Sequence, residues 1–404
     1  MLRLALGTAS ALGLARFAYG LLLPAMREDL HWSLAEAGAM NTANGLGYLL
    51  GAVATAAIAR RWGTAVIFRS GMVLVAVALA GTASTDDYLA LLAARAMAGA
   101  AGAAVFIAGG VIASSLATRA ASGAPIAVYF AGTGLGIACS GATLPALAGH
   151  WRLAWVGLGL AAALAALVSW TAADIGQKEP TVVAGRARLR LLWPIALAYL
   201  LFAAGYIAYI TFLSAYLADR HAPLVQVMLT WTALGLAVVA APALWSRPTL
   251  HWPGTRALTS LLAVLAGSAA VALIASAPPV ILASAIVYGA TFMGVPAAVT
   301  ALIKAHVAPA DRTATLSAFT ALFAAGQTAG PWLAGLLADR TSTDATLFWT
   351  TILCAAAALI AAIAGRFTPV RGTRADCDHG GRLAGERLAI RDVAPGRGST
   401  TGAA

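Results

Sequence analysis

Twelve stretches of about 20 mostly apolar residues divide this chain, and that spacing leaves few folds open to it. They run over 2–25, 38–59, 64–83, 88–113, 124–148, 152–173, 190–217, 225–246, 256–276, 279–305, 313–337 and 345–365. Each is long enough to cross the ~30 Å hydrocarbon core of a bilayer as a helix. The chain is 61% hydrophobic and only 10% charged, whereas a soluble domain carries roughly 25% charged residues. Water offers such a sequence no way to hide its side chains, and lipid accepts an apolar exterior. The first run continues to about Ala25 without a small-residue cleavage site, so it reads as a first spanning helix rather than a leader.

Turn signals punctuate the runs: Ser84 to Asp87, Ser122-Gly123, Pro278-Pro279 and Thr341 to Asp344. The longest internal polar stretch, 174–190, holds Lys178, Arg186, Arg188 and Arg190 and separates six runs from six. The expected fold is an all-α integral membrane protein of twelve transmembrane helices in two six-helix, pseudo-symmetric halves. The expected divisions are an N-terminal half 1–173, a linker 174–190, a C-terminal half 191–365 and a basic tail 366–404. The tail is Arg- and Gly-rich without apolar period, which predicts disorder.

The basic residues set the orientation. With the N-terminus in the cytoplasm, 20 of the 26 Lys and Arg fall in cytoplasmic segments and 4 (Arg27, Arg152, Arg220, Arg340) on the opposite side. Both termini are therefore expected in the cytoplasm, and the 174–190 linker with them. The net charge of +11 is scattered through short gaps, which argues against nucleic acid as a partner. The three cysteines, Cys139, Cys354 and Cys377, have neither disulfide nor zinc-site spacing. No metallopeptidase, P-loop or nucleophile-elbow motif occurs, and all six histidines sit at or beyond the run ends. No metal, cofactor or enzymatic activity is expected.

The halves also align weakly. At an offset of 193 residues Thr118-Arg119 falls on Asp311-Arg312 and Phe130-Ala131 on Phe323-Ala324, each pair preceding a Gly-rich helix.

Several motifs carry a family resemblance. They are Arg95-x-x-x-Gly99 in the fourth run, the Gly-rich fifth run, Trp151-Arg152 before the sixth, and Gly326-Gln327-x-x-Gly330-Pro331 with Gly335 to Arg340 in the eleventh. Over residues 1 to about 365 the chain resembles the major facilitator superfamily. More narrowly, Arg16 to Pro24 and Asn41 to Tyr48 make it similar to the bacterial YbfB/YjiJ-type branch. The resemblance implies a secondary transporter of a small solute in the bacterial cytoplasmic (inner) membrane. It also implies a monomer, with alternating access around a site between the halves. Two departures matter. The fifth run lacks the Gly-Pro of the antiporter motif. The loop after the second run keeps Arg61 and Gly63 of the gating motif but has Arg60 where the family has Asp.

Arg16 and Arg95 are the only charges well inside apolar runs. A charge at bilayer depth costs at least ~2.5–3.5 kcal/mol, so it usually faces a cavity with a purpose. Counted from the outer ends, the two lie at similar depth, and a guanidinium pairs bidentately with carboxylate or phosphate. One reading is a clamp on a small organic anion; the other is that each Arg bonds helix carbonyls and only stabilises the bundle. Tyr19 shares the Arg16 stretch. Tyr206, Tyr209 and Tyr288 are candidate orienting phenols or packing groups. Asn41 and Asn44, on one face with Tyr48, and Gln327 are candidate substrate contacts or interhelical bonds. No Asp or Glu lies deep in a run, so coupling to a proton would use Asp29, Glu28 or a phenol–arginine network. Uniport or exchange with a counter-transported anion is the alternative. An exporter of drug-like, neutral or cationic solutes, or a non-transporting sensor of the same fold, are the rival readings.

Overall fold

The computed structural model describes residues 1–175 and 185–367. The core of the 174–190 linker, with Lys178, and nearly all of the expected disordered tail lie outside the described residues. Twelve long helices account for nearly the whole fold, and no β-strand occurs among the described residues. They are α1 (Leu2–Asp29), α2 (Leu34–Trp62), α3 (Thr64–Thr82), α4 (Tyr88–Arg119), α5 (Ala124–Leu147), α6 (Trp151–Ala173), α7 (Trp193–Asp219), α8 (Leu224–His251), α9 (Arg256–Ile274), α10 (Pro278–His306), α11 (Pro309–Arg340) and α12 (Asp344–Arg366). Eleven are long and apolar enough to cross a membrane by length and composition. The exception is α11, at 32 residues long enough to span. Its apolar character is diluted by Thr313, Thr315, Ser317, Thr320, Gln327 and Thr328.

Several helices extend past the apolar runs that announce them. Helix α2 begins four residues early because Ser33 and Glu36 form a reciprocal capping box, which satisfies the first free N–H groups. It ends where Gly63 adopts φ +82°, a left-handed conformation that glycine enters without strain. Helix α1 runs four residues beyond its expected end, so Glu28 and Asp29 form its last turn rather than a following loop. The described end of the linker docks on α11: the Arg186 N–H and Arg188 Nε donate to Asp311 at 2.8 and 2.6 Å.

The two halves repeat one packing plan. Helix α2 packs on α4 as α8 packs on α10, α3 on α6 as α9 on α12, and α1 on α5 as α7 on α11. The halves meet through α2 with α11 and, symmetrically, α5 with α8. Local details repeat too. After α1 and α7 the chain turns through left-handed histidines, His31 (φ 54°) and His221 (φ 51°). Asp29 pairs with Arg152 at the start of α6, and Arg220 pairs with Asp344 at the start of α12.

Glycines set the closest helix approaches. A Cβ on Gly47 would lie 1.9 Å from the Ala96 carbonyl oxygen, and one on Gly99 would lie 1.9 Å from that of Asn44. The small-xxx-small motifs at Gly47, Gly132 and Gly326 therefore join helices inside one half: α2 to α4, α5 to α1 and α11 to α7. Their spacing in the sequence suggests close contacts suited to rocking of the halves, but these three motifs pack within a half rather than between halves. Gly99→Ala should overpack the α2–α4 contact and destabilise by about 1–3 kcal/mol, read as a lowered midpoint in a thermal melt of the purified protein. An unchanged melt would mean that α2 and α4 are not this close.

The named contacts between halves gather toward the end that carries Asp29 and Asp339. Both carboxylate oxygens of Asp339 on α11 accept N–H groups at the start of α2, from Leu34 at 2.7 Å and Ala35 at 2.9 Å. Thr42 donates to the Thr328 carbonyl, and Asn41 Nδ2 to the Thr211 hydroxyl. Further along α2, toward the end bearing the chain termini, Leu50 and Val53 are exposed.

Candidate functional site

Helix α1 departs from α geometry where it carries its charge. Ala9–Phe17 forms a π-helix, closed by the Ala18 N–H donating to the Gly13 carbonyl at 3.0 Å. Such widened turns concentrate at functional sites because they re-aim side chains and loosen the carbonyl ladder. Arg16 lies in the last turn of this segment and is buried.

Among the described residues, Arg16 and Arg95 are the buried charged side chains. Their surroundings differ. The Arg95 Nη1 donates to the Ala15 carbonyl at 2.7 Å, and its guanidinium lies 5.0 Å from the Tyr19 ring centre and 5.2 Å from that of Trp155. It is sandwiched inside the N-terminal half. Arg16 makes no hydrogen bond among the described residues. Its guanidinium sits 5.7 Å from the half-buried Tyr48 ring and lies within electrostatic reach of the neutral Tyr206 hydroxyl across the interface. The two arginines are also within electrostatic reach of each other. Both leave Nε and Nη2 buried without a partner. Those two nitrogens form one edge of the guanidinium, the edge that grips a carboxylate or phosphate with parallel hydrogen bonds.

The facing wall comes from the C-terminal half and is aromatic. Tyr206 stacks on Phe202 (4.9 Å), Phe323 (5.6 Å) and Phe292 (5.7 Å), and Phe292 meets Phe17 edge-on at 6.0 Å. The Tyr206 hydroxyl donates to Gln327 Oε1 at 3.2 Å, leaving Gln327 Nε2 buried and unpartnered. Asn41 Oδ1 is likewise unpartnered. Arg16, Tyr48, Asn41, Tyr206 and Gln327 thus bring free or weakly held polar groups to the region where the halves meet.

The remaining candidates have structural partners. The Tyr19 hydroxyl donates to the Ala37 carbonyl, and Asn44 Nδ2 to the Arg95 carbonyl. Tyr209 stacks on Tyr288 with ring centres 3.9 Å apart and shares a hydrogen bond with Ser284, while Tyr288 donates to the Tyr206 carbonyl. Asp29 accepts from Trp151 Nε1 and Arg152 at the far end of the bundle, and Glu28 is exposed beside it. Arg61 and Gly63 are exposed at the opposite end, where Arg61 has no ion pair among the described residues.

Three contributors escaped the sequence reading: Phe292, Phe323 and Asp339. Phe292 is one helical turn beyond Tyr288 and could have been found from that spacing. Phe323 fell within the repeat alignment and Asp339 within the Gly335 to Arg340 motif, but neither feature marked them as parts of a site.

A family profile described as uncharacterised MFS-type transporter YbfB matches residues 8–366. The chain belongs to this family of major facilitator transporters. Solved structures share its architecture. The nucleoside transporter NupG superposes with a TM-score of 0.68 at 14% identity, over 91% of this chain and 100% of the other. A bacterial homologue of the human lysosomal transporter Spinster, inward-facing and occupied, superposes with a TM-score of 0.68 at 16% identity, over 90% and 95%. The same homologue, inward-facing and unoccupied, gives 0.66 at 15% identity, over 91% and 95%. A search of curated protein sequences returned no significant match. The YbfB-type chain is thus a multi-pass membrane transporter, and both its family and its structural neighbours are transporters rather than enzymes.

Proposed function

We propose that this YbfB-type transporter carries a small organic anion by alternating access, with Arg16 as the principal contact for the anion. The observation that supports this most is the buried, unpartnered Nε/Nη2 edge of Arg16 beside the interface between the halves. An uncompensated cation at bilayer depth is costly, and a carboxylate or phosphate arriving there removes the cost. Arg95, bonded to the carbonyl next to Arg16, holds the widened turn and adds positive potential. Asn41, Gln327, Tyr48 and Tyr206 orient the solute. The stacked rings suit a planar or apolar body behind the anionic group.

The excess of Lys and Arg puts the termini in the cytoplasm and the Asp339 end outside, in the inner membrane of a bacterium. The cluster of contacts at the Asp339 end then corresponds to a transporter closed to the outside, and rocking would expose the site alternately. No carboxylate is buried among the described residues, which favours uniport or anion exchange over a membrane carboxylate relaying protons. One chain carries the whole site, so a monomer suffices.

A second reading, a planar neutral or cationic solute, draws on the aromatic wall. The test is thermal stability of the purified protein against carboxylates, organophosphates, cations and neutral nucleosides, because a ligand that binds only the folded state stabilises it by ~2.7 kcal/mol at 100 times its Kd. Stabilisation by anions alone is expected. Stabilisation by nucleosides or cations with none by anions would overturn the anion reading.

A further inference from the structure

A second electropositive site lies far from the centre, at the end bearing the termini. A cavity of about 650 Å³ opens there between the start of α9 and the end of α12, lined by Trp252, Thr255, Arg256, Thr259, Ser260 and Arg366 among others. Its lining contains no carboxylate. Helix α9 starts without a side-chain cap or an acidic residue in its first turn, because the Thr255 hydroxyl donates to the Ala361 carbonyl on α12 instead. The Arg256 N–H donates to the Pro253 carbonyl, and the N–H groups of Ala257 and Leu258 leave the positive end of the helix dipole at the cavity. The Thr259 hydroxyl is buried there with no partner. Gly254, at φ +59° with nothing near its absent Cβ, keeps the rim open.

The surface beside the cavity is apolar. Leu359 (63% exposed) and Ile363 (44%) lie on the α12 face that ends in Arg366. Trp252, 46% exposed, stands at the rim, where an amphipathic ring suits the headgroup layer. Two guanidiniums, an uncapped helix start and a free hydroxyl call for a phosphate. An apolar strip of two helical turns below them calls for an acyl chain attached to it.

We propose that this cavity binds the phosphate headgroup of an anionic lipid of the cytoplasmic leaflet, with the acyl chains along Leu359 and Ile363. The assignment of leaflet rests on the topology proposed above; the site itself does not depend on Arg16 or on the transported solute. Because α9 and α12 both belong to the C-terminal half, a bound lipid would hold that half's inner edge in the headgroup plane.

The test is native mass spectrometry of the full chain in detergent with phosphatidylglycerol, with phosphatidylcholine and with inorganic phosphate. Wild-type protein should retain phosphatidylglycerol in preference to phosphatidylcholine. Arg256→Gln or Arg366→Gln should weaken that retention roughly fivefold, and the double variant about thirtyfold. Thr259→Val, which keeps the shape and both charges, should weaken it while leaving the melt unchanged. Raising the salt should erode retention in wild type and not in the double variant. Equal retention by wild type and the double variant would overturn the proposal. Displacement of the lipid by millimolar inorganic phosphate would overturn the lipid assignment in favour of a soluble phosphate compound. These results stand whether or not anions bind at Arg16, since the readout is lipid retention.

Discussion

Arg16→Gln should abolish the stabilisation of the protein by the proposed anionic substrate and leave the substrate-free protein as stable as before, or more so. Truncating one partner of a buried charge pair costs about 2–5 kcal/mol, which is roughly thirtyfold to several thousandfold in affinity. The effect on the empty protein has the opposite sign, because Arg16 makes no hydrogen bond among the described residues and leaves two buried nitrogens unpartnered. Removing such a cation removes its desolvation cost. Arg95→Gln should behave differently. It breaks the bond to the Ala15 carbonyl and the contacts with Tyr19 and Trp155. The buried carbonyl it abandons costs about 1–3 kcal/mol, so the melt should fall even without ligand. The measurement is a pair of melts for each variant, with and without saturating substrate. If Arg16→Gln keeps the full ligand shift, Arg16 is not the anion contact. If Arg16→Gln melts well below wild type in the absence of ligand, Arg16 is a structural group with partners that this packing does not show.

If the halves rock as proposed, Asp339→Asn should shift the protein toward a form open at the Asp339 end and closed at the opposite end. Asp339 is the one carboxylate seen to bind backbone N–H groups across the two halves among the described residues, and it does so at the positive end of the α2 dipole. Charge-assisted bonds of this kind contribute about 1.5–3 kcal/mol, and the amide retains one acceptor and no charge. A tenfold or larger change in the ratio of the two forms is expected, since 1.4 kcal/mol is a factor of ten. Spin labels at Ser122, in the turn between α4 and α5, and at Thr313, in the first turns of α11, report the separation of the halves at the terminal end. Both positions are exposed. Their distance should shorten in a larger fraction of molecules once Asp339 is neutralised. An unchanged distance distribution would show that the α2–α11 bond does not set the balance between the forms.

The number of helices, their rough positions and the two-half plan were legible because lipid imposes a length and a polarity on every spanning segment. The two arginines stood out for the same reason: a charge inside an apolar run is rare. Depth along the membrane could be counted from helix ends.

Rotation about each helix axis was not legible. In a water-soluble helix the polar stripe marks the outside, but α2, α4 and α7 are apolar or small nearly all round, so their faces carry little contrast. Spacing therefore placed Arg16 and Arg95 at one level without revealing that Arg95 turns inward to a carbonyl while Arg16 turns to the interface. It placed Asn44 beside Asn41 without revealing that one binds within its half and the other across. The small-xxx-small spacing of Gly47 and Gly51 marked close packing without naming the partner helix. The sequence by itself determined that the chain spans a bilayer about twelve times and carries two exceptional charges within it. Tertiary packing alone decided which of those charges is left without a partner where the halves meet, because a hydrogen bond depends on the azimuth and neighbour of a helix, and apolar composition encodes neither.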